Sequence, residues 1–144
     1  MGVAELLLKR KQELADKNLR EGELYRTNFA LEEDVVMLEN GVLYKVIVNG
    51  TGTFPTIESV IRCHYHGTNV VGEVFDSSVE RGKPAEFTIS KLIKGWQDVM
   101  PLLAMGSKAK IVIPPDLAYG DQQISKEIGP QSTLIFEVEL LDFI

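Results

Sequence analysis

Cys63, His64 and His66 lie within four residues, and their types invite a thiol or metal reading. Strand alternation separates them. In an extended Ser59–His66, Ile61, Cys63 and Tyr65 share one face, while Arg62, His64 and His66 share the other. The chain has no other histidine, and two ligands do not close a metal site. Cys63 therefore reads as a buried, inert small hydrophobe, and no metal is expected. The covalent machinery of familiar enzymes is also missing. There is no G-x-S-x-G elbow, no phosphate-cradling G-x-x-x-x-G-K-[ST], no G-x-G-x-x-G and no H-E-x-x-H. What stands out instead is a set of aromatic and small polar residues in loop-like settings: Phe75-Asp76-Ser77-Ser78, Lys94-Gly95-Trp96 and Ala118-Tyr119-Gly120. Singly, each has a plain structural explanation: Trp96 as a core plug, Tyr119 as a turn residue, Asp76 as a cap.

Those residues must be held by strands and one short helix. From Gly41 onward the hydrophobic period is that of a strand. Val42–Val48 is a β-branched run closed by Asn49-Gly50. Glu73–Asp76 and Glu86–Ile89 are shorter candidates. Lys108–Ile113 turns Ala109, Ile111 and Ile113 to one side, and Thr133–Phe143 does the same with Leu134, Phe136, Val138 and Leu140. A short helix is expected from Trp96 to about Met100, with Asp98 in its first turn and Pro101 ending it. Many strands and one helix packed on an antiparallel sheet give the α+β class.

Residues 3 to about 30 have a different texture. They hold no proline, one glycine (Gly22) and many Leu, Ala, Glu, Lys and Arg. This predicts one exposed helix, or two short ones hinged near Gly22, packing along one side through a thin stripe of Leu7, Leu14, Ala15 and Leu19. The expected division is a helical extension over 1–40 and a strand-rich domain over 41–144.

A chain of 144 residues buries roughly 68–70% of its unfolded surface and needs no staples, which agrees with a single cysteine. With 44% hydrophobic and 25% charged residues it is neither disordered nor membrane-spanning in composition. The net charge of −6 repels phosphate backbones, so no nucleic-acid partner is expected. The early apolar run Val3–Leu8 is interrupted by Glu5 and precedes Lys9-Arg10-Lys11, so no secretory signal and no membrane span is expected, and the location reads as cytoplasmic or periplasmic.

Taken together and in order, Tyr65-His66-Gly67, Val74-Phe75-Asp76-Ser77-Ser78, Gly82-Lys83-Pro84, Lys94-Gly95-Trp96, Ile113–Gly120 and Leu134–Leu141 resemble the FKBP-type peptidyl-prolyl cis-trans isomerases, and among them the bacterial Mip-like group. Asn18–Gly22 and Gly41–Tyr44 resemble the segment joining the helical stalk of that group to its catalytic domain. The resemblance implies a twisted antiparallel half-barrel wrapped around one short helix. It places Tyr65, Phe75, Asp76, Ile93, Trp96, Tyr119 and Phe136 in the active pocket, with Arg81, Leu92 and Ile128 at its rim. Trp96 would floor the proline ring, Ile93 N–H and the Tyr119 hydroxyl would hold flanking carbonyls, and Asp76 would polarise the pocket. It implies rotation about Xaa–Pro bonds without a cofactor, proline-containing polypeptides as substrates, macrolide immunosuppressants as ligands, and a monomer or a homodimer formed through the N-terminal helix. A prolyl-binding or chaperone module with little turnover is the alternative. Two departures from the family pattern are expected to matter: Ala85 where an aromatic is common, opening the rim, and a glycine-poor Gln122–Glu127 loop carrying Lys126-Glu127.

Overall fold

The computed structural model describes residues 2–144. Helix α1 runs uninterrupted over Val3–Ala30, so Gly22 is no hinge. A Cβ there would collide with the Thr133 side chain, and the glycine lets the helix lie directly on the chain at that point. The docking face keeps Ala15 and, half-buried, Leu19 of the expected stripe, but not Leu7 and Leu14. Leu7 and Leu14 are exposed, while Ala15, Gly22 and Phe29 are buried, at the spacing of one helical face. The contact is made by small residues at one end and an aromatic at the other.

Seven strands follow: β1 Val35–Met37, β2 Leu43–Val48, β3 Val60–Thr68, β4 Val74–Ser77, β5 Ala85–Thr88, β6 Lys108–Ile113 and β7 Leu134–Phe143. They form one antiparallel sheet in the order β1-β2-β6-β7-β3-β4, with β5 also paired to β3. The residues 35–37 that add β1 lie inside the stretch expected to be a helical extension. Two short helices complete the architecture, α2 Ser78–Arg81 and α3 Lys94–Val99. Pro101 lies in a 3-10 turn, Met100–Leu102, where its missing N–H does no harm.

The alternation read from β3, β6 and β7 is realised. Ile61, Cys63, Ala109, Ile111, Ile113, Leu134, Val138 and Leu140 are buried, and they close around Trp96 and Val99 of α3. A second, smaller cluster on the other side of the sheet joins Phe29 to Leu43, Val112 and Ile135. Under α1 the outward face of β6 and β7 is apolar at Val112 and Ile135, while Lys110 sets its ammonium over the Tyr25 and Phe29 rings at 5.3 and 5.1 Å. Asn49-Gly50 is not the turn of a hairpin, since β2 pairs with β6. A Cβ at Gly50 would strike the backbone of Met105, and Gly50 N–H donates to Ser107 Oγ at 3.0 Å. Asp98 is not in the first turn of α3. The helix begins at Lys94, and Asp98 sits a turn later, paired with Lys94 Nζ at 2.8 Å and accepting from Asn40 Nδ2 at 2.6 Å. Among the described residues no helix is long and apolar enough to cross a membrane.

Candidate functional site

The concave side of the sheet and α3 enclose a cavity of about 310 Å³, at the small end of ligand sites. Its floor is Trp96, only 3% exposed. Gly95 explains how α3 comes so close: a Cβ there would lie 2.6 Å from Ile113 on β6. Three rings stand edge-on to the indole, with centroids 5.2 Å (Phe136), 5.8 Å (Tyr65) and 6.0 Å (Phe87) away at 77–84°. Phe75 stands edge-on to Phe136 at 5.4 Å. Such pairs contribute about 0.5–1.5 kcal/mol each beyond their burial, so the box is rigid before any ligand arrives. Gly67 makes room for two of its walls, because a Cβ there would meet Phe75 Cζ at 2.6 Å and Phe136 Cε1 at 3.1 Å.

One side of the mouth is polar, and local sequence builds it. Ser77 caps α2 by accepting from Glu80 N–H, in the Ser-x-x-Glu pattern, and Gly82 closes the helix at φ +72°. This single turn brings Arg81 back over β4, where its guanidinium bonds Asp76 Oδ1 and, through Nη2, the Tyr65 hydroxyl at 3.0 Å. The Tyr65 hydroxyl donates to Asp76 Oδ2 at 2.5 Å. Burial pushes the Asp76 carboxyl up, but the hydrogen bonds from Tyr65 and Arg81, with the Arg81 charge, outweigh it and hold Asp76 below the usual carboxylate range. Burial, then the bond to Asp76, pushes the Tyr65 phenol up. Asp76 is thus ionised and Tyr65 neutral at pH 7. Behind them, the buried Ser78 hydroxyl accepts Tyr65 N–H at 2.7 Å and donates to Tyr65 C=O at 3.2 Å, extending the β3–β4 ladder by one residue.

Ile93 immediately precedes α3. Its carbonyl accepts Trp96 and Gln97 N–H, while among the described residues its own N–H has no protein partner. Gln97 Nε2 fixes the preceding loop by donating to Leu92 C=O at 2.7 Å. Tyr119 follows the 3-10 turn Pro115–Leu117 and reaches the cavity from the long connection before β7.

Of the ten residues expected at the site, the structure brings Tyr65, Phe75, Asp76, Ile93, Trp96, Tyr119, Phe136, Leu92 and Ile128 to the lining of this one cavity. Arg81 stands behind the lining and reaches it through Asp76 and Tyr65. Phe87, Ile124 and Ser125 also line it and were not expected. The alternation of β5 was the available signal for Phe87. Ala85 pairs with Cys63 on β3 and its methyl does not reach the cavity, while Phe87, two residues on, supplies the ring on that side.

Cys63 is completely buried on the inner face, and burial pushes its thiol up to about 12. His64 and His66 lie on the outer face, bonded to Ser78 Oγ and Ser77 Oγ at 2.9 Å each. Among the described residues no cluster of His, Cys, Asp and Glu is placed to hold a metal.

Comparison with known proteins fits this geometry. Residues 51–141 match the family model described as FKBP-type peptidyl-prolyl cis-trans isomerase. The chain is 44% identical over 124 residues to the FKBP-type 22 kDa peptidyl-prolyl cis-trans isomerase of Escherichia coli, covering 86% of this chain and 60% of that protein. It is 36% identical over 140 residues to the outer membrane protein MIP of Legionella longbeachae, covering 95% and 60%. The crystal structure of FkpA from Escherichia coli superposes with a TM-score of 0.90 at 38% identity, over 94% of this chain and 63% of that one. The chain therefore spans about 60% of the length of these curated relatives. On sequence and fold together, the chain belongs to the FKBP-type peptidyl-prolyl cis-trans isomerases, in their bacterial Mip-like group.

Proposed function

We propose that this chain is a peptidyl-prolyl cis-trans isomerase that binds the prolyl segment of a polypeptide in the aromatic box and lowers the barrier to Xaa–Pro rotation. The observation that carries the reading is the box itself: an indole floor with three edge-on rings, and a carboxylate, a phenol and a free backbone N–H at its mouth.

The reaction makes and breaks no covalent bond. Amide resonance sets a barrier of ~18–20 kcal/mol, and uncatalysed exchange takes tens to hundreds of seconds. A planar amide separates charge, and an apolar box solvates that charge less well than water does. The twisted amide has lost the resonance and is favoured there by comparison. Trp96 takes the proline ring, while Ile93 N–H and the Tyr119 hydroxyl hold the flanking carbonyls as the bond turns. Asp76, ionised and fixed by Tyr65 and Arg81, keeps the field at the mouth oriented before the substrate arrives. Shortening exchange to milliseconds asks for roughly 10⁴–10⁵-fold, or about 6 kcal/mol at 1.36 per decade, within reach of binding and orientation alone.

Substrates are proline-containing polypeptides, and the apolar rim of Leu92 and Ile128 favours a large apolar residue before the proline. Macrolide immunosuppressants fit the same box as competing ligands. The first turns of α1 expose Val3, Leu6, Leu7 and Leu8, a surface suited to a homodimer through this helix; sedimentation across a hundredfold range of concentration tests it. We place the enzyme in the cytoplasm or periplasm, and cell fractionation decides between them. The deciding experiment for function is exchange NMR on a short Leu-Pro peptide. Exchange broadening at catalytic protein concentration, abolished by a macrolide, supports the isomerase. A folded sample that binds the peptide without accelerating exchange makes the chain a prolyl-binding or chaperone module.

A further inference from the structure

We infer that α1 braces one wall of the prolyl pocket, and that Asn18 is a positioning residue which sets that wall through the carbonyl of Pro130; the inference deepens the isomerase reading and rests on it. The wall is the segment from Gly120 to Gln131. Its neck is closed by Gln131 N–H on Gly120 C=O at 2.7 Å. Inside it, Ile124 N–H reaches Ile128 C=O at 2.9 Å, and Ile128 N–H reaches Ser125 Oγ at 3.1 Å. Ile124, Ser125 and Ile128 face the pocket.

This segment is paired to no strand, so the sheet does not fix where it stands. Its place is set by a few bonds from outside. Asn69 Nδ2 donates to Glu127 C=O at 3.1 Å, and Asn18 Nδ2 donates to Pro130 C=O at 2.8 Å. The Lys11–Asp121 pair, 3.7 Å apart with both side chains more than half exposed, adds little. Packing holds the wall at Ile128, which is buried in the main core, but not along the side that faces α1. A cavity of about 200 Å³ lies between the segment and α1, lined by Leu14, Asn18, Asn69 and Gln123. Gly129 keeps the contact close, since a Cβ there would lie 3.0 Å from Asn18 Nδ2 and 3.5 Å from Leu14 Cδ2.

The brace itself is firmly seated. Arg26 bonds the Thr133 hydroxyl, and Phe29 is buried against Leu43, Val112 and Ile135. Ala15, Asn18, Gly22, Arg26 and Phe29 fall on one helical face, so the helix that grips β7 also reaches the pocket wall. Pro130 is buried, and a carbonyl left unpaired there would draw the chain toward solvent. Ile124 and Ile128 would move with it. A misplacement well under an ångström changes how a substrate's flanking residue rests on the wall, while the box of Trp96 and its three rings stays put.

The test uses the full chain and three proteins: wild type, Asn18→Asp and Arg20→Ala. Asp is isosteric but sets a carboxylate against the Pro130 carbonyl, and Arg20 is an exposed control on the same helix. In Asn18→Asp, amides between 123 and 131 exchange about tenfold faster while those of β6 and β7 keep wild-type rates. KM for a Leu-Pro peptide rises about threefold with kcat within twofold, and Arg20→Ala changes neither. Wild-type exchange in the wall of Asn18→Asp overturns the brace, and faster exchange with unchanged KM overturns its role in binding. A wild type that fails to isomerise overturns the function above, while the exchange measurement still decides the brace.

Discussion

Tyr65 and Asp76 meet across β3 and β4, the hydroxyl of one donating to Oδ2 of the other at 2.5 Å, and Arg81 bonds both. The Tyr65 ring belongs to the core, but the Asp76 and Arg81 side chains, 45% and 52% exposed, lie at the mouth of the pocket and carry no core packing. Removing the carboxylate should therefore spare the fold and cost activity. Asp76→Ala is expected to lower kcat/KM at least tenfold, about 1.4 kcal/mol or more of transition-state stabilisation, with an unchanged far-UV spectrum. Full-rate isomerisation by the folded variant would remove Asp76 from the mechanism.

The same contacts set the direction of the pH dependence. Asp76 lies below its ordinary value in the fold, and about 3.9 when unfolded. Its contribution to stability is therefore complete above about pH 3.9 and is lost as pH falls through the lower folded value. Activity that needs the carboxylate follows the same sign. Turnover is expected to hold from neutrality down to about pH 4 and to fall below that. A rate profile taken beside Trp96 fluorescence separates loss of activity from unfolding, and a midpoint near pH 5 would contradict the bonds drawn here.

Tyr119→Phe removes one hydroxyl and no ring. If that hydroxyl holds a flanking carbonyl, the loss is one neutral hydrogen bond, about 0.5–1.5 kcal/mol. A two- to tenfold drop in kcat/KM is expected by exchange NMR, clearly milder than Phe75→Ala, which opens a wall of the box.

Trp96 is the chain's single tryptophan and the floor of the box. Titration with a macrolide should quench or shift its fluorescence saturably, and a Leu-Pro peptide should compete. A macrolide that leaves the emission untouched does not sit on this floor.

Gly22→Ala sets two effects of opposite sign against each other. Alanine gains up to about 1 kcal/mol of helix propensity, but its Cβ would collide with Thr133, a buried residue held by Arg26. Overpacking costs about 1–3 kcal/mol, so a net loss is expected. Thermal melting should show a lower Tm, whereas Arg20→Ala should not.

The sheet was legible because its strands alternate. Ile61, Cys63 and Tyr65, or Ala109, Ile111 and Ile113, carry their own side of the core in their spacing. The site was legible through ordered short motifs rather than through any one residue. The docking of α1 was hidden for the opposite reason: its buried face uses Ala15 and Gly22, which carry almost no hydrophobic signal, while Leu7 and Leu24, which carry much, are exposed. Asp98 was misplaced because Lys94-Gly95 does not advertise a helix start. Gly95 is there for its closeness to Ile113, a tertiary demand that local propensity opposes. Phe87 was missed although it shares a strand face with Ala85, because attention to the small residue at 85 passed over the ring two residues on.

Strand β7 is inserted between β6 and β3 and supplies Phe136 to the box, Thr133 just before it receives α1, and Leu134 enters the core. In a chain made from its N-terminus, every one of these contacts waits until residues 133–143 have been made and are clear of the ribosome. Until then β6 and β3 have no shared neighbour in the sheet. A protein whose proposed work is to hasten the folding of others thus depends for its own folding on long-range pairing through β7.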